Sequence, residues 1–541
     1  MSKSNSMTLN RRSFLAGVSA SALLPSALTF GTSAAAETVK MGGILHTTMW
    51  PTPTYLNAAI TTAGTEAFLS PKMFDGLLGY DYGMKPKGSL AREWNVSEDG
   101  QRITFKLRDD VKWHDGEPFT AKDVAFTFME VLKVFHGRGK TTFAALSAVE
   151  TPDDHTAVFV LDKPSPAMMR ALDSRESPIL PAHIYEGTDI MANPANVKPI
   201  GTGPFKLAAY EIGANVVMEK NPDYWDEGYP RLDRMVVQFI ADGSTRAAML
   251  ESGEVDAIFF NMIPAQDILR IAAEPGFVME KRGFETMLSS QQMDFNLDHP
   301  ILAKKEVRHA IAHAIDTKWI TDNIWYGLGK PGKTPLHAGQ TPFFTTEGVP
   351  AYPLDLEKAN ALLDEAGYPR KNGGMRFSLM LDPSPWGTES INASSYVREQ
   401  LRQIGIAVTV RTQDFALFVK TVYTDRKHDL ALYTAAMGVD PTIGVQRFYD
   451  SHSFKPGVGF SNGAHYDNPK VDALLEAAAT EVDEAKRIED YAEFQRIAME
   501  DLPVLKITDI EMATIAADYV KDFTVDAIGA AGSLKQLWLD Q

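Results

Sequence analysis

The chain has 541 residues and not one cysteine. That excludes disulfides, thiolate metal sites and cysteine nucleophiles, and equally a lipid-anchored cysteine at a processed N-terminus. Long apolar runs are missing as well. No stretch approaches the roughly 18 uninterrupted apolar residues of a spanning helix. Cations are scarce against acids: 53 Lys and Arg face 70 Asp and Glu, a formal charge of -17. That balance argues against nucleic acid and anionic membrane surfaces as partners. No internal repeat or low-complexity linker appears, so lobes are expected to be joined by short crossings and not by a tether.

What is present begins at the N-terminus. Asn10-Arg11-Arg12-Ser13-Phe14-Leu15 precedes a moderately apolar stretch through Leu23, Leu24, Leu28 and Phe30. Ala34-Ala35-Ala36 then offers small side chains for cleavage. This is the order of a removed export signal, and the paired arginines resemble the twin-arginine address. Cutting after Ala36 leaves roughly 505 residues, too many for one core, so two or three lobes are expected.

Residues 102–108 alternate with period two and read as a half-buried strand; 156–161 and 234–240 read as further strands. Thr120 and Asp123 form a capping-box pattern ahead of Val124, Phe128, Val131 and Leu132 on one helix face. Lys305 to Trp319 reads as a helix. Asp355 caps another, which Gly367 and Pro369 end. Strand 377–381, helix 393–403 and strand 407–411 follow as a β-α-β unit, and two acidic amphipathic helices fill roughly 469–500.

Three chemical patterns are weak. Gly201-Thr202-Gly203 leads into a strand through Pro204, so no helix N-terminus follows to hold a phosphate. Gly459-Phe460-Ser461-Asn462-Gly463 matches a hydrolase elbow, but the turn-like Ala464 to Pro469 replaces the helix an elbow needs. His309 and His313 lie four apart with Glu306 nearby; Ala310 occupies the place of a catalytic glutamate, so surface histidines are expected. No catalytic residue, cofactor or resident metal is expected.

A set of ordered segments carries a resemblance. They are Leu90 to Trp94, Phe105 to Gly116, Gly201 to Phe205, Asn221-Pro222-Asp223-Tyr224-Trp225, Ser252 to Asp256, Val307 to Ile311 with Ala314 to Asp316, and Ala361 to Pro369. Together they resemble the family 5 extracellular solute-binding proteins of ABC transporters, the peptide and nickel class. The resemblance implies an α/β, periplasmic binding protein-like (Venus flytrap) fold of three domains. Domain I would comprise 37–80, 196–262 and 504–541, domain II the insertion 81–195, and domain III 263–503. Crossings are expected near Ile258 to Ile263 and Leu502 to Ile507. The implied function is capture of a peptide or peptide-like solute in the interdomain cleft and delivery to inner-membrane permease subunits. The protein would be a monomer free in the periplasm; a glycoside, opine or metal chelate is the alternative ligand.

In peptide-binding relatives an aspartate three residues before an acidic-Pro pair holds the ligand ammonium. Here the pair is Asp440-Pro441, and Met437 stands at the aspartate position. Either Asp440 or another acid serves instead, or the ligand has no free N-terminus there. Replacing Met437 by aspartate would then favour ligands bearing an ammonium. Thr62, Gly64 and Thr65 fall in a loop that meets the ligand backbone in such relatives. Trp50, Phe260, Asn261 and Trp386 complete the expected ligand-binding set.

Overall fold

The structure, a computed structural model, describes residues 38–541 apart from Asn372 and Trp386. The export signal and the Trp386 expectation therefore lie outside the described residues. Among them, no helix is long and apolar enough to cross a membrane.

The first sheet has seven strands, in the order Phe277–Glu280, Thr514–Ala517, Ala257–Ile258, Ile44–Met49, Arg234–Phe239, Asn215–Lys220, Phe205–Glu211. Ile44–Met49 lies near its centre, parallel to Arg234–Phe239 with Ile44 opposite Arg234. A four-stranded antiparallel sheet follows the order Ala91–Val96, Arg102–Leu107, Thr156–Leu161, Leu146–Asp153. Its second strand buries Ile103, Phe105 and Leu107, the period-two set read from the sequence. The two sheets share one apolar cluster that includes Leu45, Phe68, Phe105, Phe159 and Met218. The helix Ala121–Phe126 carries both hydrogen bonds of the Thr120/Asp123 capping box.

The third sheet has six strands: Gly329–Pro331, Val504–Ile510, Ser289–Phe295, Leu430–Ala436, Phe377–Pro383, Ile406–Val410. Helix Thr388–Gln403 links the parallel strands Phe377–Pro383 and Ile406–Val410, as the β-α-β reading requires. The expected helix 305–319 is two helices. Lys305–Ala314 stops at Ile315, and Asp316 accepts from Trp319 N to cap Thr317–Asn323. An aspartate inside an apolar-periodic run is a cap here, where the periodicity suggested continuity.

Sheet membership corrects both expected crossings. Phe277–Glu280, assigned to domain III, pairs with Thr514–Ala517 in the seven-stranded sheet. Val504–Ile510, assigned to domain I, pairs with Ser289–Phe295 in the six-stranded one. The chain passes between these sheets at 281–288 and 511–513. Alternation identifies a strand, but not which sheet accepts its hydrogen bonds.

Several resemblance segments meet in space. Asp75 is buried and accepts from Thr202 Oγ1 (3.0 Å), Tyr224 OH (3.2 Å) and Trp225 Nε1 (3.0 Å). A Cβ on Gly201 would fall 1.7 Å from the Met73 carbonyl oxygen, so that turn closes on helix Gly64–Met73 only with glycine. Arg308, 5 % exposed, donates to the carbonyls of Leu302, Ala303, Asp501 and Leu502. It thereby satisfies the C-terminal end of helix Glu484–Asp501. Replacing Arg308 by lysine is expected to lower the unfolding free energy by about 2 kcal/mol, because one ammonium cannot reach carbonyls on both sides. Urea titration checks this; an unchanged midpoint would remove Arg308 from the scaffold.

Candidate functional site

A cleft of about 380 Å³ lies where the four-stranded sheet's loops, the 281–288 crossing and the end of the six-stranded sheet converge. Each wall follows from local chemistry. On one side, Asp173 Oδ1 accepts from the backbone N–H groups of Arg175 (2.8 Å) and Glu176 (3.0 Å). This Asx-type turn holds both side chains at the cleft. Glu176 takes two bonds from Arg138 (2.9 and 2.7 Å) and one from Arg175 Nη1 (2.6 Å). Burial pushes the Glu176 carboxyl up, but the two guanidiniums together outweigh it and hold it at about 2. Burial, reinforced by the Glu176 charge, raises Asp173 to about 6.

On the other side, strand Leu430–Ala436 turns at Gly438 (φ 66°) into the short helix Pro441–Gly444. A Cβ on Gly444 would lie 1.8 Å from the Met437 carbonyl oxygen, so the turn is as tight as glycine allows. The next turn, Gln446–Phe448, carries Arg447 to the cleft. Its Nη2 donates to Ala436 O (3.0 Å), and its guanidinium lies 4.7 Å from the Phe448 ring centroid. Thr286, Met287 and Leu288 come from the crossing. A second cavity of about 480 Å³ shares Gly137, Arg138, Ile443 and Arg447 with the first, so the cleft continues past the arginines.

The expected residues divide. Thr62 lines the cleft, and a Cβ on Gly137 would approach its methyl to 3.3 Å. Gly64 is exposed at the start of its helix, and a Cβ there would meet no protein atom within 4 Å. Trp50 is 43 % exposed but is not among the cleft-lining residues. Thr65 is buried and donates to Pro51 O (2.8 Å), which fastens its loop.

Phe260 packs its ring against Phe68 and Phe284 at 5.6 and 5.8 Å. Asn261, at φ 53°, grips the returning crossing: Ala513 N donates to its Oδ1 (2.7 Å) and its Nδ2 donates to Glu511 O (3.3 Å). Their polar and apolar capacity is spent on the fold. In a sequence, an aromatic followed by asparagine after a strand looks the same in either role.

The two residues of the ammonium argument are also corrected. Met437 has no exposed surface; its Sδ lies 3.0 Å from Lys506 Nζ. Asp440 is fully buried and pairs with both Arg487 bonds at 3.0 and 2.9 Å while capping Thr442 N. Neither is free for a ligand. Burial lowers Lys506 to about 8, so an aspartate at 437 would pair with it and not with a solute. We therefore expect Met437→Asp to leave the preference between free and N-acetylated peptides unchanged in calorimetry. A gain of about tenfold or more for the free amine would return residue 437 to the cleft.

Arg138, Arg175, Glu176, Thr286 and Arg447 escaped the sequence reading. Their signal is faint: four charged residues and one threonine in turns with no periodicity, two of them the adjacent Arg175 and Glu176. The weak patterns resolve plainly. Ser461 Oγ donates to Val458 O (2.9 Å) within turns. His313, expected at the surface, is 2 % exposed and bonds Pro353 O, while half-buried His309 bonds Glu500 O and Tyr352 OH. A helix bearing His at i and i+4 is here packed on both. Among the described residues, Asp450, His452 and Asp472 could gather a metal, with ligand atoms within 4.8 Å of one another.

Sheets joined by two short crossings around a cleft define a two-lobed solute-binding architecture. The model of the bacterial extracellular solute-binding proteins, family 5, matches residues 85–458, and the chain belongs to that family. A Brucella ovis protein assigned to ABC-transporter peptide binding is 31% identical over 448 residues, covering 80% of each chain. The oligopeptide-binding protein AppA of Bacillus subtilis, solved with a nonapeptide, superposes with TM-score 0.76 at 25% identity, covering 93% of this chain and 100% of that one. AgaA of A. tumefaciens, solved with agropinic acid, gives TM-score 0.74 at 27% identity, covering 92% and 99%. This is a family of extracellular substrate-binding transport proteins.

Proposed function

We propose that the chain is the exported binding component of an ABC importer, which captures a peptide or peptide-like solute between its lobes and hands it to the permease. The observation that carries this reading is the cleft itself: residues from both sides of the crossing, and of the crossing itself, line one cavity of mixed polar and apolar surface. A ligand held by both walls favours the closed arrangement by its differential affinity, which gives a permease a closed form to recognise. The protein is not an enzyme in this reading. It leaves the cytoplasm by the twin-arginine route through Arg11 and Arg12 and acts in the periplasm as a free monomer.

The lobes we assign follow the sheets: 40–280 with 514–541, of which 81–195 is an insertion, and 289–510. A second ligand class is favoured by one observation. Asp440 is consumed by Arg487, so the cleft wall lacks the acid that would hold a peptide ammonium. A carboxylate-bearing non-peptide, such as the opine-derived ligand seen in AgaA, fits that wall.

The test is a thermal-shift panel of peptides, opines and nickel–histidine, with each bound compound then incubated and analysed by mass spectrometry. A true ligand at 100 times its Kd adds about 2.7 kcal/mol of stability by mass action. Recovery of the ligand unchanged supports the reading. Chemical conversion of it by the protein contradicts it.

A further inference from the structure

We propose that the cleft is a receptor for the anionic end of its ligand, with Arg138, Arg175 and Arg447 as the group that holds it. This rests on the solute-binding reading above and narrows the ligand to one bearing an acidic head and an apolar body.

The first observation is charge. The chain as a whole carries -17, yet the two connected cavities are lined by Arg138, Arg175, Arg447, Lys163 and Lys455 against only Glu176 and Asp450. A cationic cleft in an acidic protein focuses the field toward anions. The second is satisfaction. Glu176 neutralises part of Arg138 and Arg175, but Arg447 has no carboxylate within salt-bridge distance among the described residues. Arg175 Nε, Arg447 Nε and Thr286 Oγ1 are buried without a hydrogen-bond partner among those residues, and all three residues line the cleft.

Arg447 is partly buried; a cation so placed without an acid carries a desolvation cost that is offset when an anion enters. Burial also pushes both Arg175 and Arg447 down from the ordinary arginine range. The planar guanidinium fork matches a carboxylate or phosphate with two parallel bonds.

The third observation is what is lacking for a cation. Glu176 is occupied by two arginines. Asp450 accepts from His452 N and Nδ1 and from Ser453 Oγ. Among the described residues, both lining acids thus already accept hydrogen bonds from protein donors, whereas Arg447 faces no acid. The remaining surface, Met287, Leu288, Val439 and Ile443, is apolar and suits a hydrocarbon body.

The experiment uses the whole processed chain and the small-molecule fraction of a bacterial extract. The extract is divided into five pools: untreated, methyl-esterified, acetylated, phosphatase-treated and salt-matched without protein. Compounds retained by the protein are counted by mass spectrometry. We expect retention to survive acetylation and to fall at least about tenfold after esterification. A fall after phosphatase instead would identify the anion as a phosphate ester and still support the proposal.

Arg447→Gln should weaken the same retained compounds by about 10- to 100-fold. The wild-type arms stand whether or not that variant folds. Retention that survives both esterification and phosphatase but is lost on acetylation overturns the proposal and leaves the solute-binding reading intact. No retention from the untreated pool contradicts both.

Discussion

Replacing Asp440 by alanine is expected to lower the unfolding free energy by about 3–5 kcal/mol. Asp440 has no exposed side-chain surface and Arg487 only 4 %. The guanidinium donates twice to this carboxylate and once to Ala478 O, and it lies 4.8 Å from the Phe343 ring centroid. Without the carboxylate, Arg487 stays buried and unpaired. The cap on Thr442 N is lost as well, worth about 1 kcal/mol. Arg170, reaching from the four-stranded lobe, sits 3.9 Å from the same carboxylate and cannot replace it. Adding Arg487→Met should recover part of the loss, since an apolar side chain of similar length leaves no charge behind. Urea titration of the single and double variants checks this. A single variant within about 1 kcal/mol of wild type would show that Asp440 is not a structural anchor.

Glu176→Gln is the second large effect. The carboxylate lies between two arginines with side chains 28 % and 11 % exposed. Its loss leaves two partly buried cations, an expected cost of about 2–4 kcal/mol after allowing for that exposure. The variant should also change the acid limb of the stability curve. Glu176 is held at about 2, below the ordinary 4.5. Its contribution is therefore complete above pH 4.5 and is lost as pH falls through about 2. Glutamine removes that dependence.

Two buried acids act with the opposite sign. Burial raises Asp294 to about 7 despite the hydrogen bond from Tyr433 OH at 2.9 Å, and Asp173 to about 6. Each is neutral at low pH and destabilises as pH rises from about 4 through those values. Melting curves from pH 2 to 8 should show wild type losing stability at both ends and Glu176→Gln losing it less steeply at the acid end. An unchanged acid limb would contradict the assignment.

Scaffold features were legible in the sequence where local chemistry decides them. The Thr120/Asp123 box, the Asp355 cap and the alternation of Ile103, Phe105 and Leu107 need only a few neighbouring residues. Thr202, Tyr224 and Trp225 lay in recognisable segments, though their meeting around the Asp75 carboxylate did not follow from order alone. The site was far less legible. Met437 and Asp440 stood out in the sequence as candidate ligand contacts, but the burial of the Met437 sulfur on Lys506 and of Asp440 against Arg487 depends on residues far along the chain. Arg447 and Arg175 gave no periodic signal, because the turns that present them are set by Asp173 and by the Gly438–Gly444 constriction.

The proposed function places a solute between the lobes, against the arginines. Native mass spectrometry of the processed protein, purified from its own cells without denaturation, tests it most directly. The expected result is a bound mass that is released on unfolding, carries an acidic group and is absent or much reduced from Arg447→Gln of unchanged melting temperature. A solute bound equally by both proteins would contradict it.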